Sequence, residues 1–402
     1  MSDTSNASDV VIVGGGIYGT SLAYRMARAG RSVTLLEKGE IASGASGGPG
    51  ERGVRANRRD LRELPVIAEA MKLWAEAEAE LEGGVGYRRL GSLQVFDVPY
   101  GHHHHEVMGK MQTMAEVQTA LGTPSEILDR DAMLAREPLL NERLLGALYC
   151  PDDGVGNHTF ATQQFAKAAE AAGAVIRTGA EAVEIATRGG EARGVVLATG
   201  ETVPVGGQLV VLANPGVKAL LSPHDPLVAN APIWHLMPQM MYVTNPHGKS
   251  LRHLLSHAHR RLAVKQIVDG TMMLSGGASV SYTEEGAWRG SLSSTALNLT
   301  DAIQTLPFLD DSSFISVDAS RVEAVTLDGI PIVGQPQGMA NAYYGYGWSG
   351  HGFAISLGFS KLFEEWMTGG EKPAMLDPFT PDRFMAMPAA GTKVAERTAA
   401  YA

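Results

Sequence analysis

Apolar and polar positions along this chain follow two periods. Residues 9–38 (DVVIVGGGIYGTSLAYRMARAGRSVTLLEK) open on an unbroken apolar run and cross a glycine cluster. Apolar residues then recur at helical spacing, and a second apolar run ends at Glu37. A short apolar run flanked by turn residues predicts a strand buried on both faces, and a 3.6-residue period predicts an amphipathic helix. The helical period returns over residues 61–81, where Leu64, Ile67, Ala68, Met71 and Trp74 share a stripe, and again over 125–140, 162–172 and 295–306. Strand patterns cover 92–96, 181–186, 193–198, 202–205 and 208–216, the last (QLVVLANPG) running into a glycine turn as the first strand does. Alternation across 232–282 predicts a second, antiparallel sheet. Near the C-terminus DGIPIVG (328–334) precedes NAYYGYGWSGHGFAISLGFSKLFEEWM (341–367), a glycine-rich turn feeding a helix. Residues 1–8 and 388–402 are polar or rich in small residues and are expected to be disordered.

The first of these segments carries a chemistry. Gly14, Gly16 and Gly19 form G-x-G-x-x-G between strand and helix, and Glu37 lies eighteen residues past Gly19. Gly14 permits a tight turn, Gly16 lets backbone approach a pyrophosphate, and Gly19 lets the helix pack on the strand. Unpaired N–H groups at the helix start then face phosphate, and Glu37 accepts from a ribose hydroxyl. A glycine turn in some other α/β protein is the plainer alternative, but strand, helix, second strand and acid all fall at the offsets of a dinucleotide-binding unit. The element order predicts a nucleotide domain assembled from 9–90, 145–225 and 320–387. Segments 91–144 and 226–319 then form a second domain over the ligand, and sites commonly lie between domains.

Composition narrows the classes. A net charge of −10 argues against a nucleic-acid partner. The single cysteine, Cys150, excludes an internal disulfide and suits a reducing compartment. The opening MSDTSNASD lacks a signal pattern and no apolar run approaches the roughly 20 residues of a membrane span, so a cytoplasmic location is expected. The run GHHHHE at 101–106 is expected to be a surface loop without a metal, because adjacent histidines on a strand alternate faces.

Several segments together are similar to one family. VVIVGGGIYG, LLEKGEIASGASGG, the GVR of 53–55, LVVLANPG, EAVTLDGIPIVG and GYGWSGHGF resemble the FAD-dependent amine and amino-acid oxidoreductases that include D-amino-acid oxidase, glycine oxidase and sarcosine oxidase. The likeness spans about residues 9–385, and WSGHGF points to the sarcosine oxidase and dimethylglycine dehydrogenase side. The resemblance implies an α/β fold: an FAD-binding Rossmann-like domain of the glutathione-reductase type with an inserted antiparallel-sheet α+β substrate domain. It implies FAD held without a covalent bond, since Arg321 stands where sarcosine oxidases carry their flavin-linked cysteine. By resemblance, the nucleotide end touches Gly14, Gly16, Ile17, Tyr18, Gly19, Glu37 and Lys38, with Val183 at the adenine. Ser43, Gly44, Ala45, Ser46, Arg52 and Gly53 approach pyrophosphate and flavin, although the Ser-Gly run also reads as a flexible loop. Ala213 and Gly216 belong to the second turn, and Gly347, Ser349, Gly350, His351, Gly352 and Phe353 lie near the ring.

Flavin-dependent amine oxidation asks the protein for orientation and electrostatics. In the sarcosine oxidases the counterpart of Arg55 holds the substrate carboxylate and that of Arg52 sits near the flavin; a solvated helix face with Arg58, Arg59 and Arg62 is the alternative. His351 either tunes the ring or fixes the turn. Glu323 stands where relatives carry tyrosine or a carboxylate-binding arginine, and either attracts a cationic amine or pairs with Arg321. The oxygen-activating lysine of sarcosine oxidase aligns with Met273, while Lys265 belongs to a Lys-Gln pair on the preceding strand; their second carboxylate-binding lysine is replaced by Ala354. Trp348 is expected to wall an apolar or cation-binding pocket, with Tyr242, Tyr344 and Tyr346 as further candidates or as plain core. His158 resembles the attachment point of a second flavin in a heterotetrameric sarcosine oxidase. The implied substrate is a small secondary or tertiary amine or N-substituted amino acid, with oxygen or another electron acceptor. Alternatives keep the fold: 2-hydroxy-acid oxidation with His351 or His257 as base, or a flavin subunit of a larger amine dehydrogenase. A homo-oligomer or a partner subunit is compatible with both.

Overall fold

The computed structural model describes residues 7–276, 280–282 and 288–385. The expected disorder at 388–402 lies outside these residues, as do most of residues 1–8. Ser8 itself begins the first strand, its hydroxyl 2.7 Å from that of Thr34.

One sheet is built on the apolar run of the first segment. Ser8–Val13 lies between the parallel strands Val33–Leu36 and Thr202–Val211, and Val175–Arg177 extends the sheet beyond Val33–Leu36. Alternate residues of Ser8–Val13 serve different cores: Val10 and Ile12 face one, Val11 and Val13 the other. Two covered faces are why the run has no polar alternation. Thr202–Val211 changes partners along its length. Its first half pairs antiparallel with Glu191–Leu197, and its second half pairs parallel with Ser8–Val13 and Ala342–Tyr346. It therefore joins two strands that the sequence reads as separate.

Four helices cover the first core, among them His158–Ala171, which brings Ala161, Phe165 and Ala169 beside Ile17–Arg28. Ile17–Arg28 and Leu64–Glu80 flank Gly352–Gly369, whose Ile355, Phe359, Leu362, Phe363 and Trp366 are buried. Gly358 allows the closest crossing, because a Cβ there would lie 2.8 Å from the Val66 carbonyl oxygen. Among the described residues no helix is long and apolar enough to cross a membrane.

The second sheet has eight strands in the order Phe314–Asp318, Met240–Val243, Met272–Ser275, Ala263–Gln266, Leu254–His257, Ser92–Phe96, Gly146–Cys150 and Glu126–Asp129. All neighbours are antiparallel except Leu254–His257 beside Ser92–Phe96. One face carries Leu93, Val95, Met241, Val243, Leu255, Val264, Met272 and Leu274 into a core closed by the helix Leu292–Thr305. Gly146–Cys150 belongs to this sheet, although its sequence neighbourhood groups it with the nucleotide segments. A three-stranded sheet joins Glu51–Val54 and Tyr87–Arg89 to Gly154–Asn157.

Two local expectations change. Residues 125–140 form a strand, Glu126–Asp129, and a short helix, Arg130–Arg136, whose N-cap Asp129 accepts from the Ala132 amide at 2.8 Å. The histidine run is not a loop throughout: His103 caps a helix, His104–Ala120, and its backbone N–H donates to Glu106 at 2.9 Å. That helix buries little, so its apolar stripe is short.

Candidate functional site

The nucleotide cradle is made by three glycines with three different needs. Gly14 has φ +117°, and a Cβ there would lie 2.7 Å from the Leu212 carbonyl oxygen. A Cβ on Gly19 would fall 1.9 Å from the Gly14 carbonyl oxygen, so strand and helix meet only because side chains are missing. Gly16 has no atom within 4 Å of its Cβ position and is open to an incoming ligand. Glu37 folds back on the turn, accepting from the Gly15 amide at 2.6 Å and the Gly39 amide at 2.8 Å. Its carboxylate is fixed beside the helix start of Ile17–Arg28. The segment before Val183 runs alongside, with Ala180 N–H donating to the Glu37 carbonyl at 2.8 Å; Val183 and Lys38 are exposed. Ala213 and Gly216 flank a short turn in which the Asn214 side chain accepts from Gly347 N–H at 3.0 Å, joining the two glycine turns.

Residues 42–48 are held rather than loose. Ala42 N–H reaches the Gly15 carbonyl at 3.2 Å. Arg52 gathers the carbonyls of Ser46, Gly47 and Gly48 on one guanidinium nitrogen, and His158 Nε2–H donates to Gly48 at 2.7 Å. His158 is buried, and burial beside Arg52 pushes it down to about 4, so it serves this loop as a neutral donor. This placement accounts for His158 without a second flavin. Ser43 and Gly44 remain exposed, and Gly44 is open at its Cβ position.

The other glycine turn is tied to Glu323. Ser349 N–H donates to Ala324 at 3.1 Å and Thr326 N–H to Ser349 Oγ at 3.2 Å, binding Glu323–Thr326 against residues 347–350. Glu323 is 4 % exposed and accepts from Ser46 Oγ at 2.5 Å, with the Gly350 amide and the Asn214 side chain nearby. Its carboxylate bridges the two loops expected around the cofactor, while Oε1 has no partner. Burial pushes its protonation upward against those hydrogen bonds. The alternative pairing with Arg321 is not among the described ion pairs.

Trp348 does not wall a pocket. Its ring stacks on Tyr18 at 3.7 Å, inside the first core, and Gly352 makes room for it: a Cβ there would lie 2.5 Å from Trp348 Cβ. Tyr18 donates to the Gly352 carbonyl at 2.5 Å, and Phe353 packs on Trp74. Tyr344 and Tyr346 are also core. His351 caps Gly352–Gly369 and turns its Nδ1 to the fully buried Glu63 at 3.2 Å, while its carbonyl accepts from Arg59 at 3.0 Å. His257 lies on the face of the second sheet that packs on Leu292–Thr305. There Asp97, His257 and His259 bring possible ligand atoms within 4.8 Å of one another, and the Arg260 guanidinium already holds both Asp97 and His257.

The remaining face of the second sheet meets the arginine segment. Tyr242 pairs with Met273 and Met273 with Lys265, so three side chains stand in one row across three strands. This row lies over residues 46–55. Met240 is 2.9 Å from a Cβ built on Gly47, and Leu254, on the strand beside Lys265, is 3.0 Å from one built on Gly53. Tyr242 hydrogen-bonds Arg52. Lys265 is buried and has no hydrogen-bond or ion-pair partner among the described residues; burial, Arg52 and Arg55 push it down to about 7. Arg55 is half-buried and donates to the Asn57 carbonyl at 3.2 Å; burial, Arg59 and Arg58 also hold it down, although a guanidinium stays charged. Glu51, the nearby acid, is committed to Arg88 at 3.0 Å. The three groups therefore face each other with no ion pair among the described residues, and Asp318 and Asp153 offset only part of their charge. The sequence alone missed Asp153, which binds the Ala56 and Asn57 amides and so fixes the turn after Arg55. Its partners are too distant in sequence to form a motif.

These features fit FAD: an open glycine turn with its acid, a second turn joined to it, and an unpartnered buried oxygen on Glu323 between the two loops. Known proteins agree. The chain is 26% identical over 444 residues to a D-amino acid dehydrogenase of Bradyrhizobium diazoefficiens, covering 93% of this chain and 98% of that one. It is 23% identical over 403 residues to the mitochondrial dimethylglycine dehydrogenase of Homo sapiens, covering 94% of this chain but 44% of that protein, so it spans less than half of that relative. In fold it resembles the L-proline dehydrogenase of P. horikoshii, with TM-score 0.80, 22% identity and coverage of 95% and 98%. The glycine oxidase of Geobacillus kaustophilus gives TM-score 0.77, 22% identity and coverage of 93% and 98%. The model of the family described as "FAD dependent oxidoreductase" matches residues 9–366, and the chain belongs to that family.

Proposed function

We propose that this chain oxidises the C–N bond of a small secondary or tertiary amine or N-substituted amino acid. The observation that carries the reading is the group Arg52, Arg55 and Lys265, brought together with none of the three in an ion pair among the described residues and set against the loops joined by Glu323. Three desolvated cations favour an anionic ligand strongly, and a planar guanidinium grips a carboxylate at two points. Bound FAD supplies a two-electron acceptor for the hydride leaving the substrate carbon. The residues supply the rest. Arg55 holds the carboxylate end, Lys265 adds positive charge from the sheet above, and Tyr242 and Met273 line the row beside it. Glu323 offers an acceptor to the amine. Loss of hydride leaves an iminium ion from a tertiary amine or, with loss of the N–H proton as well, an imine from a secondary one; water converts either to a carbonyl compound and a smaller amine. Relatives named as dimethylglycine dehydrogenase, D-amino acid dehydrogenase and glycine oxidase support a C–N bond over an alcohol. So does the placement of the two histidines considered as bases for a hydroxy acid: His257 is on the far face and His351 is turned to Glu63.

Anaerobic absorbance of the bound flavin tests this with amines, N-methyl amino acids, D-amino acids and 2-hydroxy acids. Bleaching by an N-substituted amino acid is the expected result, and readmitted air then reports whether oxygen serves as acceptor. Bleaching by hydroxy acids alone would overturn the proposal.

A further inference from the structure

The geometry points to Asp153 as the positioning residue that sets Arg55 against the sheet carrying Lys265. The inference rests on the proposed carboxylate grip. Asp153 is fully buried and lies in the turn between Gly146–Cys150, a strand of the second sheet, and Gly154–Asn157, which pairs with Glu51–Val54. Val54 is opposite Gly154, so Asp153 stands across from Arg55.

Each of its acceptors is engaged on a different side. One carboxylate oxygen accepts from Ala56 N–H at 2.6 Å. The other accepts from Asn57 N–H at 3.3 Å and from Ser92 Oγ at 2.5 Å. Its main-chain carbonyl takes Leu90 N–H at 3.1 Å and Gly91 N–H at 2.7 Å, the residues leading into Ser92–Phe96. The Asn57 side chain returns to Ser92 Oγ at 2.7 Å. Ser92 is the register partner of Leu254, on the strand paired with that of Lys265. A continuous set of hydrogen bonds thus runs from the backbone after Arg55, through one carboxylate, to Ser92–Phe96, two strands from the lysine in the same sheet. Arg59 closes the set from the other side, its Nε donating to the Arg55 carbonyl at 2.9 Å. Arg55 has a single side-chain hydrogen bond of its own, to Asn57, so its position is inherited from this backbone. Burying a carboxylate is costly, and here three hydrogen bonds spread over both oxygens offset part of that cost while burial still pushes its pKa upward.

The variant Asp153→Asn tests the inference in the holoenzyme. An amide has one acceptor group and would turn N–H groups toward a backbone N–H or the Ser92 hydroxyl, so residues 55–57 must shift. FAD content is expected to be unchanged. The affinity of acetate, read from perturbation of the flavin spectrum, is expected to fall tenfold or more, and that of neutral acetamide to stay within twofold. KM for an N-methyl amino acid should rise with kcat within threefold. A merely structural loss would weaken both probes equally, and that outcome overturns the assignment. Ser92→Ala removes the side-chain link from Asp153 and Asn57 to the sheet, leaving the main-chain ties to Leu90 and Gly91, and is expected to cost about threefold for acetate alone. Should Asp153→Asn fail to fold, unchanged acetate affinity in Ser92→Ala is the overturning result. Arg55→Gln separates the two levels. If it leaves acetate binding intact, the carboxylate grip fails whatever Asp153 does. If it weakens acetate while the other two variants bind normally, the grip stands and the positioning role falls.

Discussion

The nucleotide cradle and the charged face under the second sheet solve opposite problems. The cradle works by missing side chains: Gly14 and Gly19 let backbone meet backbone, and its one acid, Glu37, is held by the Gly15 and Gly39 amides. The charged face works by surplus. Arg52, Arg55 and Lys265 are brought from two segments and set near one another with their positive charge only partly offset by Asp318, Asp153 and Glu51. The first arrangement is complete in its backbone before a ligand arrives. The second is electrostatically unfinished without an anion, which is why the substrate end is the place to expect discrimination.

Substitutions can break this contrast at either end. The largest effect is expected from Gly19→Ala. Its Cβ would fall 1.9 Å from a backbone oxygen, so strand and helix must separate. Overpacking costs of roughly 3 kcal/mol or more are expected to fall on the FAD site, and gel filtration should return protein without flavin. Gly109→Ala, with open space at its Cβ on an exposed helix away from the site, should fold normally, keep its flavin and serve as the control. Next comes Trp348→Ala, which empties the stack on Tyr18 and should lower thermal stability by about 3–5 kcal/mol. Its KM for amines is expected to stay near wild type, whereas a pocket wall would change it. Arg55→Gln should weaken binding of a small carboxylate about 100-fold, the scale of a charge-assisted bidentate contact of about 2–3 kcal/mol. It should leave FAD affinity alone, as equilibrium titration with both ligands will show.

Lys265 offers the smallest and sharpest test. Burial and the two arginines push it down to about 7. Below that pH it is an ammonium and adds to the grip on an anion; above it the free enzyme has lost that charge. Carboxylate affinity should therefore fall as pH rises through 7, by about tenfold in all, until the pKa of the ligand-bound lysine is passed. Lys265→Met should flatten the profile, and an unchanged slope would place the titrating group elsewhere.

What could be read from the sequence follows the same division. The cradle fits within thirty residues, and each glycine acts on a neighbour a few positions away, so spacing alone revealed it. Glu323 and Lys265 attracted notice through their departures from related sequences, but their partners did not. Glu323 meets Ser46 rather than Arg321, because the ties from Ser349 to Ala324 and Thr326 bring its strand to the glycine turns. Asp153 has no local signal, since its partners at 56, 57 and 92 come together only when two sheets meet. Trp348 reads as a wall because it lies in a glycine turn, yet those glycines leave room for the ring to go inward. The helix His104–Ala120 escaped notice because a surface helix with few buried residues leaves almost no apolar period.

The row Tyr242, Met273, Lys265 has a consequence for how such proteins are matched to one another. Along a strand, neighbours point to opposite faces; across a sheet, register partners point the same way. A charge required at one spot under a sheet can be delivered from any strand that crosses the spot. By resemblance to the sarcosine oxidases the expected lysine falls on Met273, and here the lysine stands on the adjoining strand, directly opposite. Two chains can thus present an ammonium to the same small volume while every residue-by-residue alignment reports it missing from one of them. For proteins built this way, the address of a functional group is a position on a surface lattice, with two coordinates rather than one.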